Sequence, residues 1–359
     1  MLLFITAFMG LVYVYTGFRC LHFMASPMWM KIILGILLLP GIFDITAVLV
    51  WGAKMPLWVL HLLSWTGLTL IYLGMATFLL DVIRWIYHPI PWLTDGVVLV
   101  AIILAGLAIY HAKQLPVVHE ITVRSSRLPE NWQALKIVHL TDLHIGQGFD
   151  KGRLDKIIQQ TNALKPDVIF ITGDSIDQRV RTLGQEMKAL TQLKAPVYMV
   201  LGNHEYYHGP EEWRQTFQKM GIPVLTNQAV ILDNQGQKYV VGGADFGGWL
   251  KEEQVPNGLK KTFTGTDDTL PRLLLVHYPV VFDEAIKQNV LLQLSGHTHG
   301  GMTPPISWAT ALFNKGYVRG LYHKAGAHLY VSDGAGLWTG MPARLGSSNE
   351  IAVIHWVKE

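Results

Sequence analysis

The first 112 residues hold only seven charged side chains: Arg19, Lys31, Asp44, Lys54, Asp81, Arg84 and Asp95. The whole chain of 359 residues has 29 Lys and Arg and 26 Asp and Glu. A segment so poor in charge cannot supply the surface of a solvated domain. Its apolar residues fall into four stretches, over roughly 1–18, 32–50, 57–80 and 96–112, each bounded by charge, proline or turn residues. Crossing the hydrocarbon of a bilayer takes roughly 20 apolar residues at about 1.5 Å of rise each, and every stretch is near that length. The pattern predicts a membrane domain of about four transmembrane helices over 1–113, joined to a water-soluble domain over 114–359.

Details of the first part refine this reading. The first stretch lacks a basic region ahead of it and a small-residue cleavage site after it, so it reads as a retained anchor rather than a signal peptide. Trp29, Trp51, Trp58, Trp85, Tyr87, Trp92 and Tyr110 sit near the ends of the stretches, as interfacial belts do. Asp81 and Arg84, with Trp85, Tyr87 and His88 before Pro89 and Pro91, read as a helix end in the headgroup region. Asp44, inside the second stretch, reads as a carboxyl group paired or protonated within the bundle; a transport role is the alternative. With four spans, Arg19, Lys31 and Arg84 mark one side of the membrane, and Lys54, Lys113, Arg124 and Arg127 the other. The first hairpin has no Lys or Arg ahead of it and two after it. The chain is therefore expected in the plasma (cytoplasmic) membrane as a multi-pass protein, with its large domain leaning outside the cytoplasm.

Composition excludes several classes. Half of the residues are hydrophobic, which is too apolar for disorder, and a net charge of +3 argues against a protein that grips nucleic-acid backbones. One cysteine rules out a disulfide framework or a thiolate zinc cluster. Beyond Lys113 the apolar runs shorten to strand length. Strands are expected over 117–123, 136–140, 168–172, 197–201, 239–242, 273–277, 291–294, 328–331 and 351–356. Helices are expected over 153–164, 183–193, 211–220 and 281–288. This alternation indicates an α/β domain with a buried sheet.

Polar residues then fall where such a sheet gathers ligands, past the carboxyl ends of its strands. Asp142 and His144 follow one strand, Gly173-Asp174-Ser-Ile-Asp177 the next, and Gly202-Asn203-His204-Glu205 the third. His277 and Gly296-His297-Thr-His299-Gly-Gly301 come later. A lone histidine at a strand end is more often a satisfied polar residue than a ligand, though these five clusters can converge on one crevice. His139 alternates inward and reads as core. His208, His323 and His328 read as surface or substrate-side residues, and Asp245 as a cleft or turn residue outside the catalytic set.

The series D-x-H, G-D-x-x-D, G-N-H-E, H and G-H-T-H resembles the calcineurin-like metallophosphoesterases, most closely their YkuE-type branch, over roughly 115–359. The resemblance implies a four-layer αββα sandwich, beside the transmembrane helices, and a centre of two divalent ions (Mn, Fe or Zn). One ion would be held by Asp142, His144 and His299, the other by Asn203, His277 and His297, with Asp174 between them. The metal pair would polarise a phosphoryl oxygen and activate a bridging water for in-line attack. His204 would be the catalytic residue that donates to the phosphoryl charge or the leaving oxygen, oriented by a carboxylate. Asp177 and Glu205 occupy motif positions that support these groups.

The expected function is a membrane-anchored, metal-dependent phosphoric ester hydrolase. It would act on a phosphomonoester, phosphodiester or pyrophosphate, with a lipid-linked or headgroup phosphate favoured. Its partners would be the bilayer and that substrate, with no nucleic acid. The alternatives are a membrane receptor or transporter with a non-catalytic phosphoesterase domain, and an anchored nucleotide phosphodiesterase. A run of Pro304, Pro305, Ile306, Trp308, Leu312, Phe313, Tyr317 and Tyr322, with Trp338 and Met341 later, reads either as a lipid-facing rim or as a loop folded on its own domain.

Overall fold

A computed structural model describes residues 2–51, 55–86, 92–146, 152–338 and 340–359. Lys54, Tyr87, His88, Pro89 and Pro91, used above, lie outside them. The chain divides into two compact units. One comprises Met1–Lys113 with Trp338–Gly346; the other comprises Gln114–Leu337 with Ser347–Glu359. The first thus takes in a segment beyond the boundary expected at residue 113.

The first unit contains α1 (Leu2–Phe23), α2 (Met28–Leu38), α3 (Asp44–Trp51), α4 (Leu57–Arg84) and α5 (Trp92–Ala112). Among the described residues four segments, Leu3–Phe23, Met28–Ala47, Trp58–Arg84 and Trp92–Ala112, are long and apolar enough to cross a membrane. The second is not one continuous helix. A 3₁₀ turn over Leu39–Phe43 interrupts it at Pro40, whose ring removes a backbone donor. Gly41 faces the backbone of α4 there: a Cβ on it would lie 2.7 Å from the Thr66 carbonyl carbon. Asp44 is buried, with the Ser64 hydroxyl donating to it at 3.5 Å. Asp81 pairs with Arg84 (2.7 Å) and with Arg19 (2.5 Å).

The second unit runs β1 (Val117–Arg124), β2 (Ile137–Leu140), α6 (Arg153–Ala163), β3 (Val168–Thr172), α7 (Val180–Met187), β4 (Val197–Val200), α8 (Asn203–Tyr207), α9 (Pro210–Lys219), β5 (Gln228–Asn234) and β6 (Gln237–Gly243). It continues with α10 (Val255–Thr262), β7 (Arg272–Leu275), α11 (Phe282–Ile286), β8 (Val290–Ser295), α12 (Ile306–Phe313), β9 (Gly320–Lys324), β10 (Ala327–Val331) and β11 (Glu350–Val357). Two mixed sheets form, in the orders β1-β11-β2-β3-β4 and β5-β6-β7-β8-β10-β9.

Strand alternation decides the layering. Val168 and Phe170 of β3 point into a core shared with Leu273 and Leu275 of β7. Ile169 and Ile171 point the other way, onto Ile157 of α6, Leu183 of α7 and Phe217 of α9. Leu274 of β7 likewise meets Leu259 of α10 and Ala285 of α11. Helices, two sheets and helices stack as the four-layer αββα sandwich. Because β2, β3 and β4 run parallel, as do β6, β7, β8 and β10, each sheet delivers its loops to a common end.

Candidate metal centre

The loops after β2 and β3 continue side by side beyond the strands. The Asp142 N–H donates to Gly173 O and the His144 N–H to Asp174 O, both at 3.0 Å. The backbone then turns sharply. Asp142, His144, Asp174, His297 and His299 have φ of 51°, 45°, 50°, 73° and 51°. Positive φ is uncommon outside glycine and costs free energy, so five instances in one cluster mark a site held against local strain. Two glycines permit the close packing: a Cβ on Gly202 would lie 2.2 Å from Asp174 Oδ1, and one on Gly296 would lie 2.1 Å from Asp142 Oδ2.

All seven expected ligands and His204 gather at this end of the sandwich. Asp142, His144 and His299 form one cluster, and Asp174, His277 and His297 a second. In the first, His299 Nε2 lies 3.1 Å from His144 Nε2 and 3.4 Å from Asp142 Oδ1. In the second, His277 Nε2 lies 3.1 Å from Asp174 Oδ2, 3.1 Å from Asn203 Oδ1 and 3.2 Å from His297 Nδ1. Asp174 Oδ2 is also 3.9 Å from His144 Nε2, so one carboxylate oxygen stands between the clusters.

The donor set fits divalent cations. Ring nitrogens facing each other at 3.1 Å and 3.2 Å share at most one proton per pair, which leaves convergent lone pairs among buried carboxylates. Carboxylate, amide oxygen and imidazole without thiolate suit manganese, iron or zinc. Second contacts fix the rings: the Nδ1 of His277 donates to Thr172 O at 2.8 Å, and the Nδ1 of His144 faces Asp177 Oδ1 at 2.7 Å.

Electrostatics follow from burial opposed by neighbours. Desolvation disfavours the carboxylates of Asp142, Asp174 and Asp177, yet the surrounding histidines outweigh it and hold all three well below the usual range. Burial likewise opposes the charge of His277, but the Asp174 carboxylate pushes its pKa up to about 9. His297 goes the other way, to about 4, through burial and the neighbouring His277 charge.

His204 stands beside both clusters. Its Nδ1 is 2.6 Å from Asp177 Oδ1, its Nε2 is 3.9 Å from Asp174 Oδ2, and its backbone N–H donates to Asp174 Oδ1 at 2.8 Å. Glu205, next in sequence, accepts the backbone N–H groups of Gly202 (2.7 Å), Ser175 (2.6 Å) and Asp174 (3.0 Å), tying two strand-end loops together. Burial and the Asp174 charge push its pKa up to about 7, against those donors.

Other polar residues sort themselves by contact. His139 is buried and bonds Thr172 Oγ1 at 2.7 Å. Asp245 accepts the Tyr206 hydroxyl at 2.8 Å and so braces a loop. The His208 ring lies 6.5 Å from that of His204. His323 and His328 pair across the β9–β10 hairpin, with His328 near the start of β10, opposite the ligand-bearing end. Sequence reasoning missed Tyr207, whose ring centroid is 5.4 Å from that of His204, and exposed Trp249, 6.1 Å from Tyr207. They lie in unconnected segments and carry no motif signal.

Comparison with known proteins agrees with this geometry. Residues 135–301 match the calcineurin-like phosphoesterase family. The zebrafish "Transmembrane protein with metallophosphoesterase domain" is 33% identical over 272 residues, which cover 72% of this chain and 62% of that protein. The metallophosphoesterase YkuE of Bacillus subtilis is 31% identical over 268 residues, covering 69% of this chain and 88% of YkuE. An Aquifex aeolicus metallophosphoesterase is 30% identical over 240 residues, 90% of its length. Against the animal relatives the chain spans about three fifths of their length, 62% for zebrafish and 60% for cattle. The strand-end ligand clusters and these relatives together make the chain a member of the calcineurin-like metallophosphoesterase family.

Proposed function

We propose that this protein is a membrane-anchored phosphoesterase that hydrolyses a phosphomonoester, phosphodiester or pyrophosphate bond at a dinuclear metal centre. The observation that carries the reading is Asp174 Oδ2, which lies 3.1 Å from His277 Nε2 of one cluster and 3.9 Å from His144 Nε2 of the other. Asp142, His144 and His299 would hold one cation, and Asn203, His277 and His297 the second, with Asp174 shared. Two divalent cations there supply Lewis-acid activation of the phosphoryl group and of water. The chain's own residues do the rest. Asp177 orients His204 through Nδ1, so that Nε2 would carry the proton for the leaving oxygen. Burial opposes the charge of His204, but Asp174 and Asp177 outweigh it and raise its pKa, the direction a proton donor needs.

A lipid-linked or headgroup phosphate is the favoured substrate, with the catalytic unit outside the cytoplasm at the plasma membrane. The support is connectivity: α5 ends at Ala112 and β1 begins at Val117. So short a tether raises the effective concentration of the centre for bilayer-borne phosphates. A second reading, an anchored nucleotide phosphodiesterase, is favoured by the Tyr207–Trp249 pair, two aromatic rings inclined at 47° to each other, with the Tyr207 ring 5.4 Å from that of His204.

The test is hydrolysis by detergent-solubilised protein with added manganese, wild type beside Asp174→Asn and His204→Ala. Substrates are p-nitrophenyl phosphate, bis(p-nitrophenyl) phosphate, a nucleotide diester and a phospholipid panel. Loss in both variants supports the mechanism, and the preferred substrate separates the readings. Unimpaired turnover in Asp174→Asn would overturn it.

A further inference from the structure

Directly after the ligand-bearing segment His297–Gly301 comes α12, whose sequence Ile-Ser-Trp-Ala-Thr-Ala-Leu-Phe contains no charge and none of whose residues is buried. Trp308, Leu312 and Phe313 are 65%, 79% and 79% exposed. At spacings of one and four residues, Trp308, Ala309, Leu312 and Phe313 share one helical face. This is a contiguous apolar stripe and not scattered exposure. Monomeric soluble surfaces rarely carry one without a partner.

The stripe is rigidly mounted. Thr298 Oγ1 donates to Val318 O at 2.6 Å, across the base of the excursion. A Cβ on Gly301 would lie 2.7 Å from Ser307 Cβ, so the start of α12 is packed on the loop that carries His299. Tyr317 and Tyr322 fold back onto the domain beside Phe282, with ring centroids 5.8 Å apart for Phe282–Tyr317 and 5.1 Å for Tyr317–Tyr322. The expected rim therefore splits: Tyr317 and Tyr322 are partly buried against the domain, and the helix faces outward.

We infer that α12 lays this stripe into the interfacial layer of a lipid bilayer and so forms a membrane-docking lip beside the metal centre. A bilayer is the occupant that the chain itself supplies, since four helical segments long and apolar enough to cross a membrane precede the domain and the last ends at Ala112. Tryptophan with large apolar neighbours on one face is the chemistry of an interfacial helix; Lys315 and Arg319, which follow it, are half exposed and face Glu252 at 3.2 Å and Asp333 at 4.0 Å. The inference deepens the lipid-phosphate reading of the function and rests on it for the purpose of the lip, though not for its insertion.

The experiment places an environment-sensitive fluorophore at Leu312→Cys, and separately at Phe313→Cys, in the full chain carrying Cys20→Ser. Each is reconstituted in phosphatidylcholine/phosphatidylglycerol nanodiscs. Insertion gives blue-shifted emission that lipid-borne nitroxide quenches several-fold more than aqueous iodide does. Water-like emission quenched mainly by iodide at both positions overturns the proposal. So does cross-linking between copies through either cysteine with no lipid quenching, which would assign the stripe to a second copy of the chain. A Trp308→Ser/Leu312→Ser/Phe313→Ser variant is expected to lose at least about tenfold in turnover of bilayer-borne phosphate, with p-nitrophenyl phosphate turnover as in wild type. Insertion without any lipid-phosphate turnover in wild type would leave the lip standing and remove the substrate reading; turnover without insertion would do the reverse.

Discussion

The Nδ1 of His204 stands 2.6 Å from Oδ1 of Asp177, and the same oxygen faces the Nδ1 of His144 at 2.7 Å. One carboxylate thus sets the ring orientation of the proposed proton donor and of a proposed ligand. Asp177→Asn keeps the volume but weakens both contacts. Activity is expected to fall by about 10–100-fold, with weaker apparent manganese affinity. A lower kcat at unchanged manganese affinity would confine Asp177 to orienting His204.

If His204 protonates the leaving oxygen, its removal must depend on how much protonation the leaving group needs. His204→Ala should cost about 10²–10⁴-fold on an alkyl phosphate, and clearly less on p-nitrophenyl phosphate, which leaves as a stable phenolate. Equal losses on both would point instead to stabilisation of the phosphoryl charge.

Glu205 accepts three buried backbone N–H groups from two loops. Glu205→Gln turns an amide NH₂ towards some of them. A buried donor left unsatisfied costs about 1–3 kcal/mol, so a destabilisation of about 2–4 kcal/mol is expected in thermal or denaturant unfolding. Activity should fall with it, because the Asp174 backbone is one of the tied groups.

Much of this is legible in the amino-acid sequence. A near-continuous apolar run such as Val168–Thr172 specifies a strand buried on both faces, and the polar clusters after such strands specify a common ligand end. The edge strands of the second sheet were not legible. Gln228–Asn234 and Gly320–Lys324 are half exposed, mix polar with apolar residues, and become strands through hairpin pairing with β6 and β10. Nor was α12 legible, since an apolar helix with nothing to pack on has no periodicity to reveal it. The left-handed backbone at Asp142, His144, Asp174, His297 and His299 is imposed by tertiary contacts, and nothing in those residue types announces it. Tyr207 meets Trp249 only because α8 and the loop after β6 reach the same end of the sandwich.

Metal binding should be visible in stability as well as in rate. A ligand that binds only the folded state contributes about 2.7 kcal/mol at a concentration one hundred times its Kd. Chelation is therefore expected to lower the melting temperature and abolish activity, and manganese to restore both. The restoring shift should shrink in Asp174→Asn, whose carboxylate oxygen stands between the clusters. An undiminished shift there would place the stabilising ion elsewhere.

The buried end of the first sheet carries a separate titrating pair. His119 Nδ1 lies 3.0 Å from Glu350 Oε2. Glu350 Oε1 also accepts the Tyr330 hydroxyl at 2.7 Å and the Asp333 N–H at 3.0 Å. The bond to Glu350 raises His119 above its ordinary 6.5, against partial burial. Burial opposes ionisation of Glu350, but His119, Ser332, Tyr330 and the Asp333 N–H outweigh it and lower its pKa below 4.5. The signs follow from linkage. The raised histidine stabilises fully below pH 6.5 and loses that contribution as pH climbs through its folded value. The lowered carboxyl stabilises above pH 4.5 and loses that contribution as pH falls through its own. Wild type should therefore exceed His119→Gln in stability most between about pH 4.5 and 6.5. Because His119 is 43% exposed, solvent screening holds the difference to about 0.2–1 kcal/mol. It should fade on the alkaline side, which unfolding midpoints of the two proteins from pH 4 to pH 9 would resolve, and a pH-independent difference would mean that the pair does not titrate.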